Sequence, residues 1–144
     1  NHISGPSRTG EELAFAIRQA LNEASLSKSD IDFISAHGTA TLYNDEMEAK
    51  AFSLVGMEHV PVHSLKGYFG HTLGAAGVLE VALSAHGLLE NELISSSGFH
   101  TLGVTQPINI IKALERRPLE ICLKTASGFG GCNAAIILQK ENTN

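Results

Sequence analysis

The sequence predicts an α/β domain: a mixed sheet with packed helices, closed by an antiparallel hairpin. Three observations carry that prediction. Short apolar runs alternate with segments of helical period through the first ninety residues. Two β-like runs flank the glycine turn Ser127–Asn133 near the end. Of 144 residues, 43% are hydrophobic and only four are proline, which suits one packed core rather than disorder.

The elements follow in order. Thr9-Gly-Glu-Glu12 has the form of a capping box, opening a helix from about Gly10 to Leu26. Leu13, Ile17, Ala20, Leu21 and Ala24 share one face of it, with Glu11, Arg18, Gln19 and Glu23 mostly turned to water. Asp32 to Ala36 reads as a short buried strand feeding His37, and Asp45 to Leu54 has helical spacing through Met47, Ala51 and Leu54. Val60 to Ser64 is the next strand. From Leu73 to Leu89 apolar or tiny residues lie on every side except at Glu80, Ser84 and His86, so the helix reads as buried all round and implies a second covering layer. Asn91 to Arg117 has no readable period, and Glu120–Thr125 and Ala134–Gln139 form the hairpin strands.

Bulk properties exclude several classes of function. A net charge of −5 with no dense Lys/Arg cluster argues against nucleic acid and polyanion binding. The apolar run before Glu80 is too interrupted to read as a membrane span, and with no leader-like start the expected location is the cytoplasm. Cys122 and Cys132 lie outside any CxxC spacing, on adjacent strands, and are expected as reduced thiols, with a disulfide as the alternative. His2, His59, His63, His86 and His100 have no ligand spacing, so neither a metal nor another cofactor is expected.

Three loops carry the chemistry: HGTATLYND (His37–Asp45), KGYFGHTLGAAGVLE (Lys66–Glu80) and SGFGGCN (Ser127–Asn133). His37 leaves an apolar strand for a hydroxyl-rich loop, and His71 stands at a helix entrance. A reactive imidazole at each place is one reading. Each could instead satisfy buried backbone groups. Lys66 and Glu80 are expected to pair, because either charge unpaired in so apolar a region is costly. Thr39 and Thr41 alternate along an extended loop, where their hydroxyls meet either a ligand amide or local backbone. Phe129, between glycines, can swing cheaply. The acidic spacing of Asp45 and Glu48 at a helix start is explained by the macrodipole.

In kind, order and spacing these motifs resemble HGTxTxxxD, KxxxGHxxGAAGxxE and GFGGTN of the β-ketoacyl-acyl-carrier-protein synthases, the condensing enzymes of fatty-acid and polyketide assembly. The resemblance covers most of the chain and implies half of a thiolase-like layered fold. It implies that residues 1–144 form the C-terminal half, with the nucleophilic cysteine in an N-terminal half outside this chain. It gives His37 and His71 the oxyanion role, Lys66 and Glu80 an orienting role, Thr39 and Thr41 a pantetheine contact, and Phe129 a gate on acyl entry. The implied partners are an acyl carrier protein with phosphopantetheine-linked substrates, the chain's own N-terminal half, and a second subunit in a homo- or heterodimer. Ser127 and Cys132 stand where the family has Phe and Thr, which bears on acyl-length preference. Two alternatives share the fold: a non-catalytic subunit of the chain-length-factor type, against which both histidines argue, and an acyltransferase without decarboxylation.

Overall fold

A computed structural model describes residues 5–141; His2 lies outside the described residues. Helix α1 (Glu11–Glu23) leads to strand β1 (Phe33–Ser35), α2 (Leu42–Val55), β2 (Pro61–His63), the short α3 (Lys66–Phe69) and α4 (Ala76–Glu90). Three two-residue strands follow, β3 (Glu92–Leu93), β4 (Asn109–Ile110) and β5 (Glu115–Arg116), before the hairpin of β6 (Ile121–Gly128) and β7 (Cys132–Gln139). The main sheet has the order β4-β2-β1-β6-β7. Its first four strands are parallel and β7 is antiparallel to β6.

Strand alternation sorts the side chains into two cores. Ile34, Val62 and Leu123 face α1 and α2, where Leu13, Ile17, Met47 and Phe52 close the larger cluster. Phe33 and Cys122 face the other way, packing with Leu88 of α4, Leu93 and Leu119. Burial of each large side chain contributes roughly 1.5–3 kcal/mol.

Several boundaries differ from the sequence expectation for identifiable reasons. The capping box does not form: Ser7 Oγ accepts from the backbone N–H of Thr9 and Gly10, both at 3.2 Å, and no side chain caps α1 at Gly10. Gly10 has φ 78°, and a Cβ there would lie 2.7 Å from Ala51 N and Met47 O. The helix therefore starts where its backbone abuts α2. It ends at Glu23 rather than Leu26, and Ser25 (φ 56°) turns the chain away; Ala24 is exposed and Ala20 half-buried. Helix α2 begins three residues before Asp45, because Leu42 and Tyr43 of its first turn are exposed and show no inward period.

Helix α4 is not buried on every side. Ala76, Glu80, Ser84, Gly87 and Leu88 are buried, while Val78 and Leu89 are 77% and 65% exposed. The 18 residues Leu73–Glu90 are long and apolar enough to cross a membrane by length and composition, but Glu80 and Ser84 turn inward against the sheet. Both cysteines are free thiols, yet only Cys122 is buried. Cys122 stands opposite Leu138 and Cys132 opposite Gly128, at far ends of the hairpin. Burial pushes the Cys122 thiol up to about 12.

Candidate active site

The carboxyl ends of the central parallel strands deliver the site, the place where open α/β sheets bind ligands. His37 follows β1, Lys66 follows β2, and Phe129 follows β6.

His37 is held from below by Glu48, whose Oε1 accepts from His37 N at 2.9 Å and Thr125 Oγ1 at 3.0 Å. Glu48 Oε2 accepts from Gly38 N at 2.7 Å and Asn44 Nδ2 at 2.9 Å. Four donors thus fill the buried carboxylate. Burial pushes its pKa up, and the backbone donors oppose that shift. Asp45, its pKa also raised by burial, accepts from Thr39 N at 3.2 Å and from Asn44. These two acids organise the His37 loop, a role beyond the macrodipole reading of their spacing.

The Lys66 ammonium has three hydrogens and three acceptors: Glu80 Oε1 and His37 O, each at 2.5 Å, and His37 Nδ1 at 3.2 Å. The expected Lys66–Glu80 pair is therefore present, with side chains 6% and 0% exposed. Because a lysine ammonium only donates, Nδ1 of His37 accepts and Nε2 carries the proton. Burial, then the Lys66 and Lys124 charges, pushes the His37 pKa down to about 4, so the ring is neutral at pH 7.

His71 reaches the same tautomer by another route. Leu73 takes a left-handed φ of 53°, uncommon for a bulky residue, and its N–H donates to His71 Nδ1 at 3.0 Å. The ring is exposed. The two rings meet edge to face, centroids 5.1 Å apart and planes at 82°. With Nδ1 accepting in each ring, Nε2 of each is left as a donor for a developing oxyanion.

Thr39 and Thr41 share a hydrogen bond of 2.7 Å between their hydroxyls. Both line a cavity of about 570 Å³ with Ser64, Ser96, Phe99 and Ile108. Lys66 also lines it, whereas His37, His71, Glu80 and Phe129 lie outside its lining. Phe129 is 84% exposed on a turn in which Gly130 and Gly131 have φ of 82° and 75°. Ser127 Oγ donates to Asn133 Oδ1 at 2.9 Å, bracing the turn at its base.

Sequence reasoning missed Lys124. Lys124 lies on β6, 2% exposed, with Nζ 2.7 Å from Glu80 Oε2, an ionic contact without hydrogen-bond alignment. The available signal is a lysine in the middle of an otherwise buried strand. His63 is 1% exposed and its Nδ1 lies 3.0 Å from Ile94 O, which makes it a structural donor.

The family described as beta-ketoacyl synthase, C-terminal domain, matches residues 1–100. The chain is 35% identical over 143 residues to granaticin polyketide putative beta-ketoacyl synthase 1 of Streptomyces violaceoruber, covering 96% of this chain and 34% of the relative. It is likewise 35% identical to 3-oxoacyl-[acyl-carrier-protein] synthase 2 of Rhizobium meliloti, with the same coverage. A ketosynthase solved in complex with its chain length factor, from Xenorhabdus doucetiae, superposes with a TM-score of 0.89 at 31% identity, over 97% of this chain and 36% of that one. A beta-ketoacyl synthase from Burkholderia phymatum gives 0.85 at 30% identity, over 98% and 35%. The chain thus spans about a third of the length of the curated relatives it matches. Its fold is that of the thiolase-like ketosynthases, and the chain belongs to the β-ketoacyl synthase family.

Proposed function

We propose that residues 1–144 supply the C-terminal half of a synthase that joins an acyl group to a malonyl thioester by decarboxylative Claisen condensation. The observation that carries this reading is the pair of imidazoles meeting edge to face, each held at Nδ1 by its own donor. In the proposed reaction the malonyl carboxylate leaves as carbon dioxide, and its bonding electrons pass into the thioester as an enolate. His37 and His71 donate Nε2–H to the enolate oxygen. The enolate carbon attacks the acyl thioester on a cysteine outside this chain, and the tetrahedral adduct collapses to the β-ketoacyl product, releasing the thiolate. Lys66 and Glu80 orient His37. Thr39 and Thr41 receive the pantetheine arm of an acyl carrier protein, and Phe129 gates acyl entry against a wall that another part of the protein provides.

The chain by itself is inactive in this reading. Cys122 is buried with its thiol pushed up to about 12, and Cys132 is exposed at the start of the edge strand β7, with no elbow to present it as a nucleophile. A homo- or heterodimer is proposed for the complete protein; ketosynthase relatives are solved in complex with chain length factors and with an acyl-carrier protein.

The test is carbon dioxide release beside acyl-enzyme formation in the complete synthase. His37→Ala and His71→Ala should each lower decarboxylation roughly 10²–10³-fold, as loss of one oxyanion donor does, while acylation persists at least in part. Near wild-type decarboxylation by either variant would show that its imidazole is structural.

A further inference from the structure

Glu80 carries one more cation than the sequence predicts. Its Oε1 takes Lys66 and its Oε2 takes Lys124. Lys124 also donates to the carbonyls of Thr125 at 2.6 Å and of Ser35 and Ala36 at 3.2 Å. Ser35 lies in register with Lys124 on one side and His63 on the other, so a row of buried polar residues crosses β2, β1 and β6 beneath α4. Phe33 and Cys122 stand next in line on the same face. A hydrophobic side chain at position 124 would avoid desolvating a second ammonium, and apolar replacements of buried ion clusters are often neutral or stabilising. Stability alone does not account for the lysine.

We propose that Lys124 is a positioning residue of this active site: by holding Glu80 Oε2 it fixes the carboxylate, and through it the Lys66 ammonium, against Nδ1 of His37. The inference rests on the reading of His37 as an oxyanion donor. Without Lys124, Oε2 has no partner and the carboxylate is free to turn, which loosens Lys66 from the imidazole.

Charge gives a second consequence. His37 is faced by Lys66 from α3, Glu80 from α4, Lys124 from β6, His71 from the loop before α4, and Glu48 from α2 through its backbone N–H. Removing Lys124 leaves Glu80 opposed by a single cation, so His37 takes up a proton at higher pH.

In the complete synthase, Lys124→Met should lower kcat for malonyl decarboxylation on the order of 10-fold, less than the loss of an oxyanion donor itself, with KM for the malonyl carrier protein unchanged. The acid limb of the pH profile should move to higher pH. Lys124→Gln keeps amide donors for the Ser35 and Ala36 carbonyls but no charge, so it should fold and show the same limb shift with a smaller loss. If the Met variant does not fold, the Gln variant decides. A lysine that merely supports the fold would change the yield of folded protein and leave the limb in place. That result in both variants, with His37→Ala inactive, overturns the role of Lys124 and leaves the proposed function standing. Near wild-type decarboxylation by His37→Ala overturns both.

Discussion

The two faces of α4 are opposites of what a surface helix presents. Its inner face buries Glu80 and Ser84 against the sheet, and its outer face offers Val78 and Leu89 to solvent. An amphipathic helix on one sheet puts its apolar stripe inward. A polar inner face with an apolar outer one belongs to a helix sandwiched between two layers, with a functional cluster on the side this chain covers. The inner face is held by ions, and the outer face is shaped for a hydrophobic neighbour.

The inner face is the more vulnerable of the two. Glu80→Gln leaves Lys66 and Lys124 as buried ammoniums without their carboxylate, and removing one partner of a buried pair in this way costs about 3–5 kcal/mol. Denaturant unfolding of the complete protein measures it. A loss under about 1 kcal/mol, the range of an exposed ion pair, would mean that water reaches the cluster and that the inner face is not sealed.

At the outer face the effect depends on context. Val78→Asp should leave the stability of this chain alone nearly unchanged, since the side chain is already 77% exposed. In the proposed complete protein the same change forfeits the burial of one valine, about 1.5–3 kcal/mol, or on the order of 10- to 100-fold in affinity between separately produced halves. Sedimentation of the two halves together reads this directly. Equal association by the wild-type and Val78→Asp proteins in that experiment would show that α4 faces water in the complete protein.

How much of this can be read from the sequence depends on length and direction. The strands before His37 and Lys66 and the hairpin around Phe129 are readable, because each has enough apolar residues to set a period. Strands β3, β4 and β5 have two residues each, too few for any period. The Lys66–Glu80 bridge is readable from the cost of leaving either charge unpaired in an apolar segment, whereas the histidine pair is legible only through the resemblance of its two loops to the family motifs. The roles of Lys124 and Glu48 are not, since their partners lie 44 and up to 77 residues away in sequence, Glu80 for one and Thr125 for the other. Such contacts exist only once the sheet order is known. The apolar outer face of α4 reads as buried because composition reports what a helix wants covered, not whether this chain covers it.

His63 offers a smaller test of the sealed side. Burial pushes its pKa down to about 4, against the carbonyl of Ile94, which pulls upward. Between about pH 6.5 and 4 the unfolded chain takes the proton and the folded one does not. Stability from this group is therefore complete above about pH 6.5 and is lost as pH falls toward 4, at up to about 1.4 kcal/mol per pH unit. His37 titrates in the same window with the same sign. Glu48, with its pKa raised by burial, works in the opposite direction as acid is added. His63→Leu should flatten the fall in unfolding free energy from pH 6.5 to 4 by about half of the histidine share. An unchanged slope would place the imidazole in contact with water in the folded state.

Phe129 is the limiting case of the open side, where the structure predicts almost no effect on stability and some effect on function. Its ring is 84% exposed, and the two glycines after it hold left-handed backbone that needs nothing from the ring. Phe129→Ala should change the stability of this chain by less than about 0.5 kcal/mol, as surface substitutions do. If the ring closes an acyl passage against another part of the protein, the same variant should alter the rate at which long and short acyl groups load the nucleophilic cysteine. The ratio of the two loading rates is the informative readout, because a general loss of fold lowers both together. An unchanged ratio, with stability also unchanged, would leave the ring without a gating role. A shifted ratio would mean that the open rim, which contributes nothing to holding this chain together, is where the substrate is chosen.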